Sequence, residues 1–264
     1  LPRARAERCT ATARSHSMSS NDPSSGLPAR PVLWRNPPKG RVLAFAPHPD
    51  DEVLGCGGLI SKVKAQGGKV HVLCFTVGNT KQYGGYSHSE KRIKEMNKVM
   101  KYLKVDSFDM ALAGDEYHLK LDRVPQKKLI DIIEKGKISI STINPDIVCI
   151  PFIGSTNQDH VAVAKASFTA CRPVKNAQKD IARIVLSYEQ PETSWTRKRF
   201  HPNFFIDISK ELKMKQKALS LYSSQVRSKN HPRTTNTIER IAELRGNEIG
   251  VKYAEAYECH RFIF

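Results

Sequence analysis

From residue 41 onward, short apolar runs alternate with amphipathic stretches, and this alternation constrains the fold more than any other feature of the chain. RVLAFA, KVHVLCFTVG, SFDMALA, DIVCIPF and ARIVLSYEQP read as strands, too short for helices and bounded by turn residues. Between them, DEVLGCGGLISKVKAQGG places Val53, Leu54, Leu59, Ile60 and Val63 at helical spacing and closes on a Gly pair. SHSEKRIKEMNKVMKYLKV opens on a Ser cap and repeats Ile93, Met96, Val99, Met100 and Leu103. VPQKKLIDIIEKGKISISTI reads as one helix ending before Asn144-Pro145, and DHVAVAKASFTACR as another ending before Pro173. Strands and helices in strict alternation imply right-handed βαβ units. The expected fold is therefore α/β, a Rossmann-like, mostly parallel sheet with helices on both faces. Beyond Pro191 the pattern loosens into a strand (NFFIDIS), two helices and a closing strand (YECHRFIF).

Residues 1–40 lack an apolar period and are rich in Arg, Ala, Ser and Pro, which reads as a tail or arm. Met18 heads a Ser-rich stretch, so residues 1–17 read as sequence upstream of a natural start. Residues 41–264 read as a single domain. No apolar run approaches the ~20 residues that cross a bilayer. The six cysteines are scattered without metal-type pairing, and Cys74 and Cys149 fall in apolar strands, which fits buried thiols in a reducing cytoplasm. The formal charge of +17 admits a nucleic-acid partner, yet the basic residues form no long block and no basic-aromatic module. A solvated surface accounts for them more simply.

The chemistry concentrates where strands end. In an open parallel sheet, ligands bind beyond the carboxyl ends of the strands. The first strand runs directly into His48, Pro49, Asp50, Asp51 and Glu52; the fourth runs into PFIGSTNQDH, with Asp159-His160 opening a helix. Three carboxylates at a strand tip repel one another and are costly to bury unless a cation offsets them. His48, Asp51 and His160 form a set of N and O donors with the character of an open zinc site, which leaves a fourth position for water. Asp50, beside Asp51, is then placed to accept a proton. Glu52 would set its charge against the positive end of the helix. Gly55, Gly57 and Gly58 would allow close packing or close approach of a substrate. A solvated loop His and an acidic helix cap explain the same residues without a metal, and residue types alone leave both readings open. His71, His118, His231 and His260 have no partner in the pattern and receive no role. Trp195 reads as half-buried packing.

APHPDDEVLGCGG resembles the signature of the PIG-L/LmbE-type deacetylases, zinc hydrolases that remove acetyl groups from N-acetylglucosamine conjugates. FTVGNT, the Arg92-x-x-Glu95 pair, NQDHVAV, FFIDIS, KQKALSLYSSQ and RGNEIGVKYAEAYECHRFI resemble further segments of bacterial members, in order, across residues 41–264. The resemblance implies one Zn2+ per chain held by His48, Asp51 and His160, with Asp50 as general base and Asp159 orienting a ligand side chain. Arg92 and Asp115 match positions that contact the sugar or its aglycone. Members often carry a His three residues before the last ligand; here that residue is Asn157. An amide can donate to an oxyanion but cannot deliver a proton. Protonated Asp50 would supply the leaving amine, or another His would enter, with His201 the choice to test. The implied substrate is an acetylated amino sugar or its conjugate, and the implied assembly a trimer or hexamer. A zinc amidase acting on a sugar-thiol conjugate and a basic nucleic-acid-binding protein are the rival readings.

Overall fold

Apolar residues alternate along the strand Arg41–Ala46 (β2) in a way that assigns both faces of a sheet at once. Val42 and Ala44 point into one buried cluster, Leu43 and Phe45 into another. The computed structural model describes residues 31–35, 39–82, 85–173, 181–196, 198–227 and 231–263. Most of the expected N-terminal tail, residues 1–30, lies outside them.

Strands β1 (Val32–Trp34), β2, β3 (Lys69–Val77), β6 (Ser107–Ala113), β7 (Ile147–Pro151), β8 (Ile184–Tyr188), β9 (Phe204–Asp207) and β10 (Ala254–Phe262) form one sheet. Their order is β1-β9-β10-β8-β7-β2-β3-β6. A small hairpin, β4 (Thr80–Gln82) and β5 (Gly85–Ser87), stands apart. The helices are α1 (Asp51–Ala65), α2 (Ser89–Tyr102), α3 (Gln126–Lys135), α4 (Ile140–Ile143), α5 (Gln158–Ala170), α6 (Leu212–Leu221) and α7 (Thr235–Asn247). Residues of α1, α2, α6 and α7 cover one face of the sheet, those of α3 and α5 the other.

The α/β expectation holds, with three refinements. First, β10 runs antiparallel to both β8 and β9 in an otherwise parallel sheet, an orientation its sequence does not encode. Second, Val32–Trp34 pairs in parallel with β9, so the sheet begins inside the expected tail. Third, the single helix expected over VPQKKLIDIIEKGKISISTI is two. It stops at Gly136 and restarts at a Ser139 capping box whose hydroxyl accepts from the Thr142 N–H.

The chain passes from β2 to β3 on one side and meets β7 on the other, so strand order reverses between β2 and β7. That reversal is the topological switch point, where open α/β sheets leave a crevice. No helix among the described residues is long and apolar enough to cross a membrane.

Candidate active site

The turn from β2 into α1 is built by its own side chains. The His48 N–H donates to Asp51 Oδ2 (2.9 Å), and the Asp51 N–H returns to the His48 carbonyl (3.3 Å). Asp50 caps α1 with φ 110°, a left-handed conformation that strains a residue other than glycine. From the other side of the switch point, Asn157 caps α5 by accepting the Asp159 N–H on Oδ1 (2.9 Å), which sets His160 in the first turn.

These two turns bring His48, Asp51 and His160 together. His48 Nδ1 lies 3.5 Å and His160 Nε2 3.1 Å from Asp51 Oδ2. One ligand atom from each residue falls within 4.8 Å of the others, and all three residues are buried. Tetrahedral zinc with N and O ligands at ~2.0–2.2 Å would separate those atoms by roughly 3.3–3.5 Å. His160 Nδ1 is buried without a hydrogen-bond partner, and Nε2, which misses hydrogen-bond geometry, faces the Asp51 carboxylate at 3.1 Å, where a cation between the two would serve both. The residues therefore fit a zinc ion. A second grouping, His48, His118 and Asp159, shares one imidazole with the first. There, Asp159 Oδ2 already accepts His48 Nε2–H (2.8 Å) and the Leu119 N–H (2.8 Å), which makes the carboxylate an orienter of His48.

Burial sets the electrostatics. Burial pulls His48 toward neutrality, but hydrogen bonds to Asp159 and Asp51 outweigh it and raise its pKa. Burial also opposes ionisation of Asp51, yet His160 and His48 hold it well below the usual carboxylate range. Asp50 is pushed up by burial to about 6, with Arg233 opposing the shift and Asp51 adding to it. Glu52 is pushed up by burial to about 8 despite a hydrogen bond from Tyr222 Oη (2.6 Å). The helix-end charge expected of Glu52 is therefore largely quenched at neutral pH. The three glycines of α1 serve packing. A Cβ on Gly55 would run into the Tyr188 ring, and one on Gly58 would lie 2.5 Å from Ile208 Cγ2.

A cavity of about 240 Å³ opens over the cluster, lined among others by His48, Arg92, His118, Asn157, His160 and Arg233. Arg92 is buried and donates from Nη2 to the Pro49 carbonyl (3.3 Å). Asp115 and His201 are not among the lining residues. The Asp115 carboxylate is turned to the Asn79 N–H (2.6 Å), tying the loop after β3 to the loop after β6. His201 is exposed, and its N–H donates to Glu258 Oε1 (2.7 Å) on β10. Trp195, expected to be half-buried, is 82% exposed.

Four groups enter that the sequence pattern did not single out. His118 stands edge-on to His48 with ring centroids 5.1 Å apart, accepts from Arg92 Nη1 at 3.5 Å, and is driven by burial to a pKa of about 3. Gln190 Nε2 donates to Asp51 Oδ1 (2.7 Å). Arg233 Nη1 donates to Asp50 Oδ2 (2.8 Å), and Arg233 Nε to Glu192 Oε1 (2.6 Å). None carries a local motif. The nearest available signal was the Gly-Asp-Glu-Tyr-His run after β6, a polar loop at the same sheet rim.

A doubly wound α/β sheet with a His/Asp/His cluster at its switch point defines the class. The family model for GlcNAc-PI de-N-acetylases (PIG-L) matches residues 43–171, the segment that carries both cluster turns. The chain is 30% identical over 171 residues to the uncharacterized deacetylase YaiS of Escherichia coli, covering 64% of this chain and 83% of YaiS. It is 27% identical over 223 residues to the diacetylchitobiose deacetylase of Thermococcus kodakarensis, with 81% of each covered. The chain belongs to the PIG-L family, and these relatives are deacetylases. The fold also superimposes on GalB, a 4-carboxy-2-hydroxymuconate hydratase from Pseudomonas putida, with a TM-score of 0.64 at 19% identity, covering 83% of this chain and 95% of that one. That likeness speaks to the fold alone, and the chemistry must be argued from the site.

Proposed function

We propose that this protein is a zinc-dependent hydrolase that removes the N-acetyl group from an N-acetylglucosamine-type sugar or sugar conjugate, releasing acetate and a free amine. The observation that carries this reading is the convergence of His48, Asp51 and His160 at the switch point, one ligand atom of each within 4.8 Å of the others. One Zn2+ held by these three would supply Lewis acidity toward an amide carbonyl and acidify a water molecule.

The chain's own groups account for the proton movements. Asp50 Oδ1 is buried without a partner, which leaves it open to take the proton of the attacking water. Because Asn157 spends its Oδ1 on the α5 cap, its Nδ2–H remains to donate to the oxyanion that forms as the carbonyl carbon becomes tetrahedral. When the C–N bond breaks, protonated Asp50 returns its proton to the departing nitrogen, so amine and acetate leave in balance. His201, exposed and outside the lining of the cavity, takes no part in this route. Asp159 holds the His48 ring. Arg92 holds the Pro49 carbonyl and lines the cavity where sugar hydroxyls would sit.

Cys56, Cys74 and Cys149 lie buried as free thiols, which supports a reducing compartment such as the cytoplasm for this activity. A trimeric or hexameric assembly belongs to the same reading. The test is incubation of zinc-loaded protein with N-acetylglucosamine, N,N'-diacetylchitobiose and N-acetylglucosamine conjugates, scored by free amine and acetate. Equimolar amine and acetate, abolished by a chelator and restored by zinc, is the expected result. Release of a larger acid without acetate, or turnover indifferent to chelation, would contradict the reading.

A further inference from the structure

Asp50 presents a problem of position. Its side chain is 0% exposed, its backbone is strained, and two more buried acidic residues follow it. Its Oδ1 has no partner, and its N–H reaches Glu52 Oε2 at 3.2 Å. Among the described residues, the one cation in direct contact with its carboxylate is Arg233, through Nη1 to Oδ2 at 2.8 Å. Arg92, the other nearby guanidinium, is taken up by the Pro49 carbonyl and His118.

Arg233 is itself fixed from a second direction. Its Nε donates to Glu192 Oε1 at 2.6 Å, so two edges of one planar guanidinium hold two carboxylates from separate loops. Its neighbours in the chain face elsewhere. His231, Pro232 and Thr234 line an adjoining cavity of about 1060 Å³, whereas Arg233 and Glu192 line the small cavity over the metal-type cluster.

We propose that Arg233 is a positioning residue for the hydrolysis: the Glu192–Arg233 pair holds the Asp50 carboxylate in its strained place by engaging Oδ2 and leaving Oδ1 free for the water. This rests on the assignment of Asp50 as the base. A carboxylate buried beside two others with no cation on it would turn away from the site. A lysine at this position keeps the charge but reaches one carboxylate at a time.

The test uses the full zinc-loaded chain and a substrate it turns over. Arg233→Gln should lower kcat per folded molecule on the order of 10–100-fold with KM and zinc content held, beyond whatever fall in melting temperature the unpaired buried Asp50 brings. Arg233→Lys should recover part of the loss, and Glu192→Gln should lose less than either. A structural role alone would not reproduce the decisive readout: Arg233→Gln added to Asp50→Asn should slow the residual rate no further. Unchanged kcat in Arg233→Gln, or a loss repeated in full on the Asp50→Asn background, overturns the proposal. If Arg233→Gln does not fold, Glu192→Gln and Arg233→Lys decide, and normal kcat in both overturns it. Should Asp50→Asn alone retain normal turnover, the base assignment falls; if it abolishes turnover while Arg233→Gln leaves kcat intact, only the role of Arg233 falls.

Discussion

Two buried acidic centres meet helix α1, one at its start and one where Glu255 of β10 reaches a kink within it, and they are finished in opposite ways. At the kink, where Cys56 leaves helical geometry, Glu255 accepts the Gly58 N–H (2.7 Å), the Leu59 N–H (2.8 Å), Lys215 Nζ (2.6 Å) and Tyr257 Oη (2.7 Å). Both of its oxygens are answered twice. At the helix start, Asp50 Oδ1 and His160 Nδ1 are buried and unanswered, and so are His118 Nδ1 and Arg92 Nε nearby. The same helix thus separates a charge used to build the fold from charges held in readiness. Burial and charge do not distinguish the two centres, since both have them. The unmet hydrogen bonds distinguish them, because native structures rarely leave such groups unpaired without a use.

That contrast can be broken in order of effect. Asp50→Asn, at the unfinished centre, should cut turnover by ~10²–10⁴-fold while zinc content and melting temperature stay put, and steady-state kinetics beside calorimetry would show it. Lys215→Met, at the finished centre, should do the reverse. Leaving Glu255 buried without its cation should cost about 3–5 kcal/mol in urea denaturation, with turnover per folded molecule preserved. Gly58→Ala forces a Cβ to within 2.5 Å of Ile208 Cγ2 and should destabilise by ~1–3 kcal/mol, again without a catalytic signature. Tyr222→Phe removes one hydrogen bond to the largely protonated Glu52 and should lower stability by about 1 kcal/mol. If Lys215→Met proved catalytic at full stability, or Asp50→Asn proved mainly destabilising, the division between the centres would be wrong.

How far the sequence could be read follows the same physical line. Alternating strands and helices were legible because period-2 and period-3.6 patterns are local, and so was the placement of His48, Asp51 and His160 on strand-to-helix turns. Topology does the rest, since any doubly wound sheet brings two such turns together at its switch point. The helix break at Gly136 was written in the Gly and in the Ser139-x-x-Thr142 box, but a continuous apolar period masked it. The three-residue edge strand at Val32 is too short to show a period. Arg233, Glu192, Gln190 and His118 were illegible for another reason. Each reaches the site from a loop whose path depends on tertiary packing. The Asp159 carboxylate, for one, draws in the loop bearing His118 by accepting the Leu119 and Leu121 N–H groups. Asp115, placed by the family resemblance, and His201 show the converse: the Asp115 carboxylate accepts the Asn79 N–H, and His201 is exposed with its backbone N–H on Glu258.

The most direct measurement is the zinc content of purified, zinc-loaded protein by elemental analysis, for the unaltered chain and for His48→Ala, Asp51→Ala and His160→Ala, with Asp50→Asn as the control. One zinc per chain in the unaltered protein and in the control, with near-complete loss in each of the other three, is the outcome expected of a His/Asp/His metal site. Metal absent from the unaltered chain, or retained at full occupancy when any of those three side chains is removed, would contradict it.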